Sequence, residues 1–120
     1  MSIEEFINEI DGVLIDSTLI SEVEKPYEIK LPDYIGKILS FDKNGISFGD
    51  NKRLLSLSEV INAVEDLHVD FIQMRKIPLF DTGDNDFIVY SFEDGVWELF
   101  NIVDKCVFHQ SSNLEELLLM

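Results

Sequence analysis

The chain has 120 residues, 24 of them Asp or Glu against 9 Lys or Arg, which gives a net charge of −15 and a pI near 4.2. That excess argues against a nucleic-acid backbone and an anionic membrane surface as partners, because both require clustered cations; it either welcomes a basic protein surface or serves only to keep the chain soluble. A hydrophobic share of 46% with nine Phe is enough for one self-supporting core, so a single domain over residues 1–120 is expected and a disordered tail is excluded.

In chain order, Ile3, Phe6, Ile7 and Ile10 recur at helical spacing until Asp11-Gly12 interrupts them. A second helix starts after Asp16 or Ser17, turns Leu19, Ile20 and Val23 inward, and is expected to end before Pro26. Leu31-Pro32-Asp33-Tyr34 opens a third, with an apolar stripe of Tyr34, Ile35, Ile38, Leu39 and Phe41 and a stop at Asn44-Gly45. Ile46–Phe48 is a short strand candidate. Ser56 and Glu59 have capping-box spacing ahead of Val60, Ile61 and Val64.

From about residue 70 the period changes to two. Phe71–Phe80 is read as extended, with Pro78 marking an edge or strand end. Phe87, Val89 and Ser91 alternate with Ile88, Tyr90 and Phe92, so both faces are apolar and the strand is central. Glu93-Asp94-Gly95 is a tight turn into a partner strand over Val96–Ile102, with Trp97, Leu99 and Asn101 on one face. Val107-Phe108 continues the β region. Ser112 and Glu115, again at capping-box spacing, start a closing helix with Leu114, Leu117 and Leu118. Helices, then a strand meander, then a helix make an α+β domain: an antiparallel sheet with helices over one face.

Catalytic chemistry finds little purchase. His68 and His109 have no metal-spaced partners, and Cys106 lies in an apolar run where an inert thiol is the expectation. Neither a nucleophile elbow nor a phosphate-cradling glycine loop is present. Asp81-Thr82-Gly83-Asp84-Asn85-Asp86 has the acid density of a calcium loop, but Gly83 comes too early, and Phe92 stands where the bidentate Glu belongs. A non-enzymatic chain without metal or cofactor is expected. The lone cysteine fits a reducing compartment. With an acidic N-terminus unlike a signal peptide and no apolar run of membrane-helix length, the expected location is the cytoplasm.

Between Ile77 and Asp104 the chain carries Asp81, Asp84, Asp86, Glu93, Asp94, Glu98 and Asp104 and no Lys or Arg. Two readings fit: a solvated turn region, or a negative surface at one end and one face of the sheet that receives a basic partner. On the second reading Asp81, Asp84, Asp86, Glu93, Asp94 and Glu98 are the candidate partner-binding residues. Tyr90, Phe92 or Trp97 would be the aromatic anchor if exposed, and core packing is their alternative.

The motif order resembles the SUKH superfamily, the Smi/Knr-type domain. Leu31-Pro32-Asp33-Tyr34, Ile38-Leu39 and Asn44-Gly45 are similar to its LP-x-x-Y…L…NG segment. Ile77-Pro78-Leu79-Phe80, the acidic loop Gly83–Asp86, Phe87-Ile88-Val89-Tyr90, Glu93-Asp94-Gly95-Val96 and the closing Ser112–Leu118 continue the resemblance, and Leu19–Glu24 is similar to the first helix. It covers roughly residues 17–119. Asp84-Asn85-Asp86 departs from the two glycines often seen before the loop Asp, and Ser58–Arg75 matches nothing distinctive. The resemblance implies a twisted sheet of about six strands with helices on one side. It also implies an immunity-type protein that binds and neutralises a basic, nuclease-type toxin domain; the chain itself is expected to be a monomer or weak dimer. A regulatory scaffold of the cell-wall-synthesis type is the alternative that the resemblance implies.

Overall fold

In the computed structural model, which describes residues 1–49 and 51–120, five of the seven helix starts among the described residues are set by side-chain caps. The Ser2 hydroxyl accepts the Glu5 N–H at 3.1 Å and starts α1 (Ile3–Ile10), which buries Ile3, Phe6 and Ile10. Asp16 caps α2 (Ser17–Tyr27) by accepting from the Thr18 and Leu19 N–H groups. This helix runs one residue past Pro26, where the sequence reading ended it. Proline sits in the last turn, so the carbonyl it leaves without a donor belongs to exposed Glu22. The extra residue seats Tyr27, whose hydroxyl donates to the Val60 carbonyl at 2.8 Å. Helix α3 (Asp33–Phe41) starts at the expected proline but stops at Asp42, whose carboxylate accepts the Asn44 N–H. Gly45, at φ +81°, then turns the chain.

The sheet is a six-stranded antiparallel meander in the order β1-β2-β3-β4-β5-β6. Strands β1 (Ile46–Ser47) and β2 (Arg53–Leu54) are two-residue pieces. Strands β3 (Lys76–Gly83), β4 (Asp86–Ser91), β5 (Val96–Asn101) and β6 (Cys106–Ser111) form its body. Between β2 and β3 lie three short helices, α4 (Leu57–Ile61), α5 (Ala63–Leu67) and α6 (Phe71–Met74). Ser56 and Glu59 form the expected capping box of α4. The single turn of α6 corrects the extended reading of Phe71–Met74: Asp70 accepts the Gln73 N–H, and Arg75, at φ 56°, ends the turn before the strand begins. Pro78 lies at a register shift in β3, where the ladder tolerates a missing donor. Helix α7 (Leu114–Leu118) is capped by Asn113, one residue later than Ser112, because Asn113 Oδ1 is the atom that accepts the Glu115 N–H.

The α+β class and the six antiparallel strands match the expectation. Phe6 of α1 packs edge-on against Phe41, Phe48 and Phe80 at 4.9, 5.5 and 5.8 Å, and Tyr34 of α3 meets Trp97 at 6.3 Å. Those contacts place the main helical layer on the face that Phe80 and Trp97 share. Phe100 is three residues beyond Trp97 on an unbroken strand, so it points to the opposite face. There Phe71 of α6 covers it at 6.0 Å, so the short helices add a second, smaller cover. No helix among the described residues is long and apolar enough to cross a membrane.

Candidate functional site

A meander puts successive turns at opposite ends of the sheet, and this divides the candidate acids. The β3–β4 turn is Asp84-Asn85, both with positive φ (53° and 66°), closed by the Gly83↔Asp86 pair as in a type I′ hairpin. The expected polar loop over Asp81–Asp86 is therefore mostly strand. The β4–β5 turn with Glu93 and Asp94 follows Ser91 and lies at the other end of β4, about 20 Å away at the rise of an extended strand. The β5–β6 turn returns to the first end and brings Asp104 beside Asp84 and Asp86. The six acids named from the sequence thus do not share one end and one face.

Two of them are neutralised from outside the acidic stretch. Glu98 is 2% exposed, and its Oε1 meets the Lys76 ammonium at 2.6 Å, off the hydrogen-bonding direction. Its Oε2 accepts from Gln110 Nε2 at 2.8 Å. Glu98 is a core residue and supplies no charge to an open surface. Asp81 accepts the Gly83 N–H at 2.9 Å and lies 3.5 Å from the Arg53 guanidinium. The same guanidinium grips Glu59 with both nitrogens, at 2.6 and 2.9 Å, which holds that carboxyl down at about 2. Arg53 and Lys76 could have been suspected from the sequence only by knowing the register, because each lies far from its acid along the chain.

The aromatic candidates separate in the same way. Trp97 is 4% exposed, between Tyr34 and Tyr90, and anchors the core. Tyr90 and Phe92 are partly buried and pack on one another at 5.6 Å beside the Glu93-Asp94 turn. Burial, then the charges of Asp11 and Glu115, push the Tyr34 hydroxyl above its usual value.

Both ends of the sheet keep open acids, Glu93 and Asp94 at one and Asp84 and Asp104 with half-buried Asp86 at the other; the second end is the more firmly built. Its two turns are tied together. The Ile102 N–H donates to the Asn85 carbonyl at 3.0 Å, and Asn101 Nδ2 donates to the Asp86 carboxylate at 2.9 Å. Asn101 Oδ1 accepts the Val103 and Asp104 N–H groups at 3.0 and 2.8 Å, and Thr82 Oγ1 donates to the Asp86 carbonyl. Asn101 therefore holds both turns at once. Val103, 68% exposed, stands among these acids, and the sequence reading passed over it. An apolar side chain in the same turn as Asp104 and Lys105, at the sheet end that also carries Asp84 and Asp86, stands on turns that are already ordered and so asks little further ordering of a partner contact. Among the described residues, no three or more His, Cys, Asp or Glu side chains are grouped to hold a metal ion.

Comparison with family models, with curated proteins and with solved structures returns no match.

Proposed function

We propose that the chain is a SUKH-type protein-binding module of the immunity class, which binds and neutralises a basic, nuclease-type toxin domain. The observation that carries the reading is the net charge of −15 together with a pinned sheet end that carries Asp84, Asp86, Asp104 and exposed Val103. An inhibitor of a phosphate-binding cleft needs anionic groups held in fixed positions, and long-range attraction then speeds encounter. The residues of the family resemblance occupy joints of this fold, which supports the same reading. Leu31 is buried ahead of α3, Gly45 makes the positive-φ turn, and Ile77 is buried in β3.

The test is affinity capture from the source cells, followed by reconstitution with the purified partner. The expected catch is a basic toxin domain, released by high salt and inactive while bound. Asp84→Lys combined with Asp104→Lys should slow association at low salt, whereas Glu93→Lys combined with Asp94→Lys should change it less. Capture of only regulatory or envelope-synthesis proteins would move the assignment to the scaffold class, and an unchanged on-rate in the first double variant would remove this sheet end as the site.

A further inference from the structure

The sheet has two unlike edges. One is β1, a two-residue strand too short to template another chain. The other is β6, six residues long, with no strand on its outer side among the described residues. Exposed edges are ordinarily guarded by Lys, Pro, inward charges or a β-bulge. Cys106-Val107-Phe108-His109-Gln110-Ser111 has no Lys, Pro or carboxylate, although about one residue in four of the whole chain is charged (28%), and a single bulge is its one guard of this kind. Helix α7 does not cover the edge. It packs back beneath the sheet, where its Glu116 accepts from Ser111 Oγ at 2.7 Å on the face of Trp97 and Ser111. A register shift against β5 leaves Phe108 as the extra residue of β6 and turns it outward, 57% exposed.

We propose that β6 receives an extended, basic segment of the protein partner as a seventh strand, with Phe108 packing against an apolar side chain of that segment. This rests on the reading that the partner is basic. Charge selects the occupant. The strand carries no Lys, Arg or carboxylate; Asp104 stands just before it, and Glu116, with a side chain 57% exposed, stands beside its end where it also meets Ser111 and His109, while Lys105 adjoins its first residue. A second copy of the chain would bring another −15 to the same place. The edge begins at the turn that carries Val103 and Asp104, so one partner segment running out from that acidic end would pair with β6 directly. Main-chain hydrogen bonds would supply affinity and the acids orientation.

The probe is a capped heptapeptide of alternating lysine and valine, titrated into the full chain and followed at each backbone amide by NMR. Its control is the same peptide N-methylated at two consecutive central residues, which blocks both edges of the peptide and leaves its charge unchanged. The unmodified peptide is expected to bind about tenfold more tightly than the control, since two or three main-chain hydrogen bonds separate them. It should slow exchange at β6 amides, and Phe108→Ser should weaken it. Equal binding of both peptides, with shifts confined to Asp84, Asp86 and Asp104, would overturn the strand addition and leave the basic-partner reading standing. Binding of neither at low salt would overturn the inference and remove the charge support for that reading as well. Protection of β6 in a dimer of the free chain, seen by sedimentation, would assign the edge to a second copy instead.

Discussion

Lys76→Met is the most informative single change, because it separates a structural acid from the exposed acids. The Glu98 carboxylate is 2% exposed, with the Lys76 ammonium at 2.6 Å and Gln110 Nε2 at 2.8 Å. Removing the ammonium leaves a buried charge with one neutral donor, which costs about 3–5 kcal/mol. At roughly 2.1 cal/mol/K per residue of unfolding entropy, that corresponds to a melting point lower by about 12–20 °C. Lys76→Met with Glu98→Met should recover most of the loss, because an apolar pair of similar volume needs no compensation in this environment. Glu98→Gln should be milder than Lys76→Met, since the Lys76 side chain keeps 15% exposure and its ammonium can turn to water. Urea and thermal unfolding of the four proteins decide it. A Lys76→Met variant within about 1 kcal/mol of the parent, or a double variant no more stable than the single, would refute the argument that the pair acts through desolvation.

Three further outcomes follow from local geometry. The carboxyl of Glu59 is held at about 2 instead of 4.5, first by the Arg53 hydrogen bonds, so its contribution is present above pH 4.5 and is lost as pH falls from there to 2. With side chains 38% and 40% exposed, Arg53 and Glu59 contribute about 1 kcal/mol after screening, and Glu59→Gln should flatten that acid limb in urea unfolding. Gly45→Ala should lose at least about 2 kcal/mol, because φ is +81° and the new Cβ would stand 2.6 Å from the Leu54 carbonyl oxygen; Gly49→Ala, with open space, should be near neutral in the same assay. Tyr27→Phe should lose about 1 kcal/mol by removing the hydroxyl donor from the Val60 carbonyl, which keeps only a contact from the Asn62 N–H. In the parent, burial raises the Tyr27 hydroxyl so far that alkaline absorbance should show it ionising only as the chain unfolds.

The helical third was largely legible because its signals are local. The Ile3-Phe6-Ile10 spacing and the Ser56…Glu59 box each specify an element without reference to anything distant. The misreadings arose where a short polar side chain competes with the apolar period. Asp70…Gln73 has the reach of a cap, and it turns Phe71–Met74 into a helical turn within a stretch that otherwise reads as strand. The site was less legible than the fold, because charge density along a chain does not say which end of a sheet a turn occupies. Counting strand parity through β4 and β5 would have separated Glu93 and Asp94 from Asp84 and Asp104. It could not have shown that Lys76, opposite Ser91 in the ladder, reaches diagonally to Glu98.

Lys76 and Arg53 divide the acids they face from those left to solvent. Lys76 is placed on Glu98, the one acid of these drawn into low dielectric, where an uncompensated charge is most damaging, and Arg53 on the part-exposed Glu59 and Asp81. Asp84 and Asp104 remain in water, where each carboxylate is solvated and folding asks nothing of it. At −15 the chain repels itself, so these acids oppose compaction slightly and their presence has to be explained by something other than stability. Salt then separates the two roles. Raising ionic strength from about 0.01 to 0.15 M shortens the screening length from about 30 to about 8 Å, which should relieve the self-repulsion and raise the urea midpoint. The same change should slow association with a basic partner. A urea midpoint that falls with salt would mean that the surface acids are engaged in stabilising pairs, and the claim that they are held in reserve for a partner would fail.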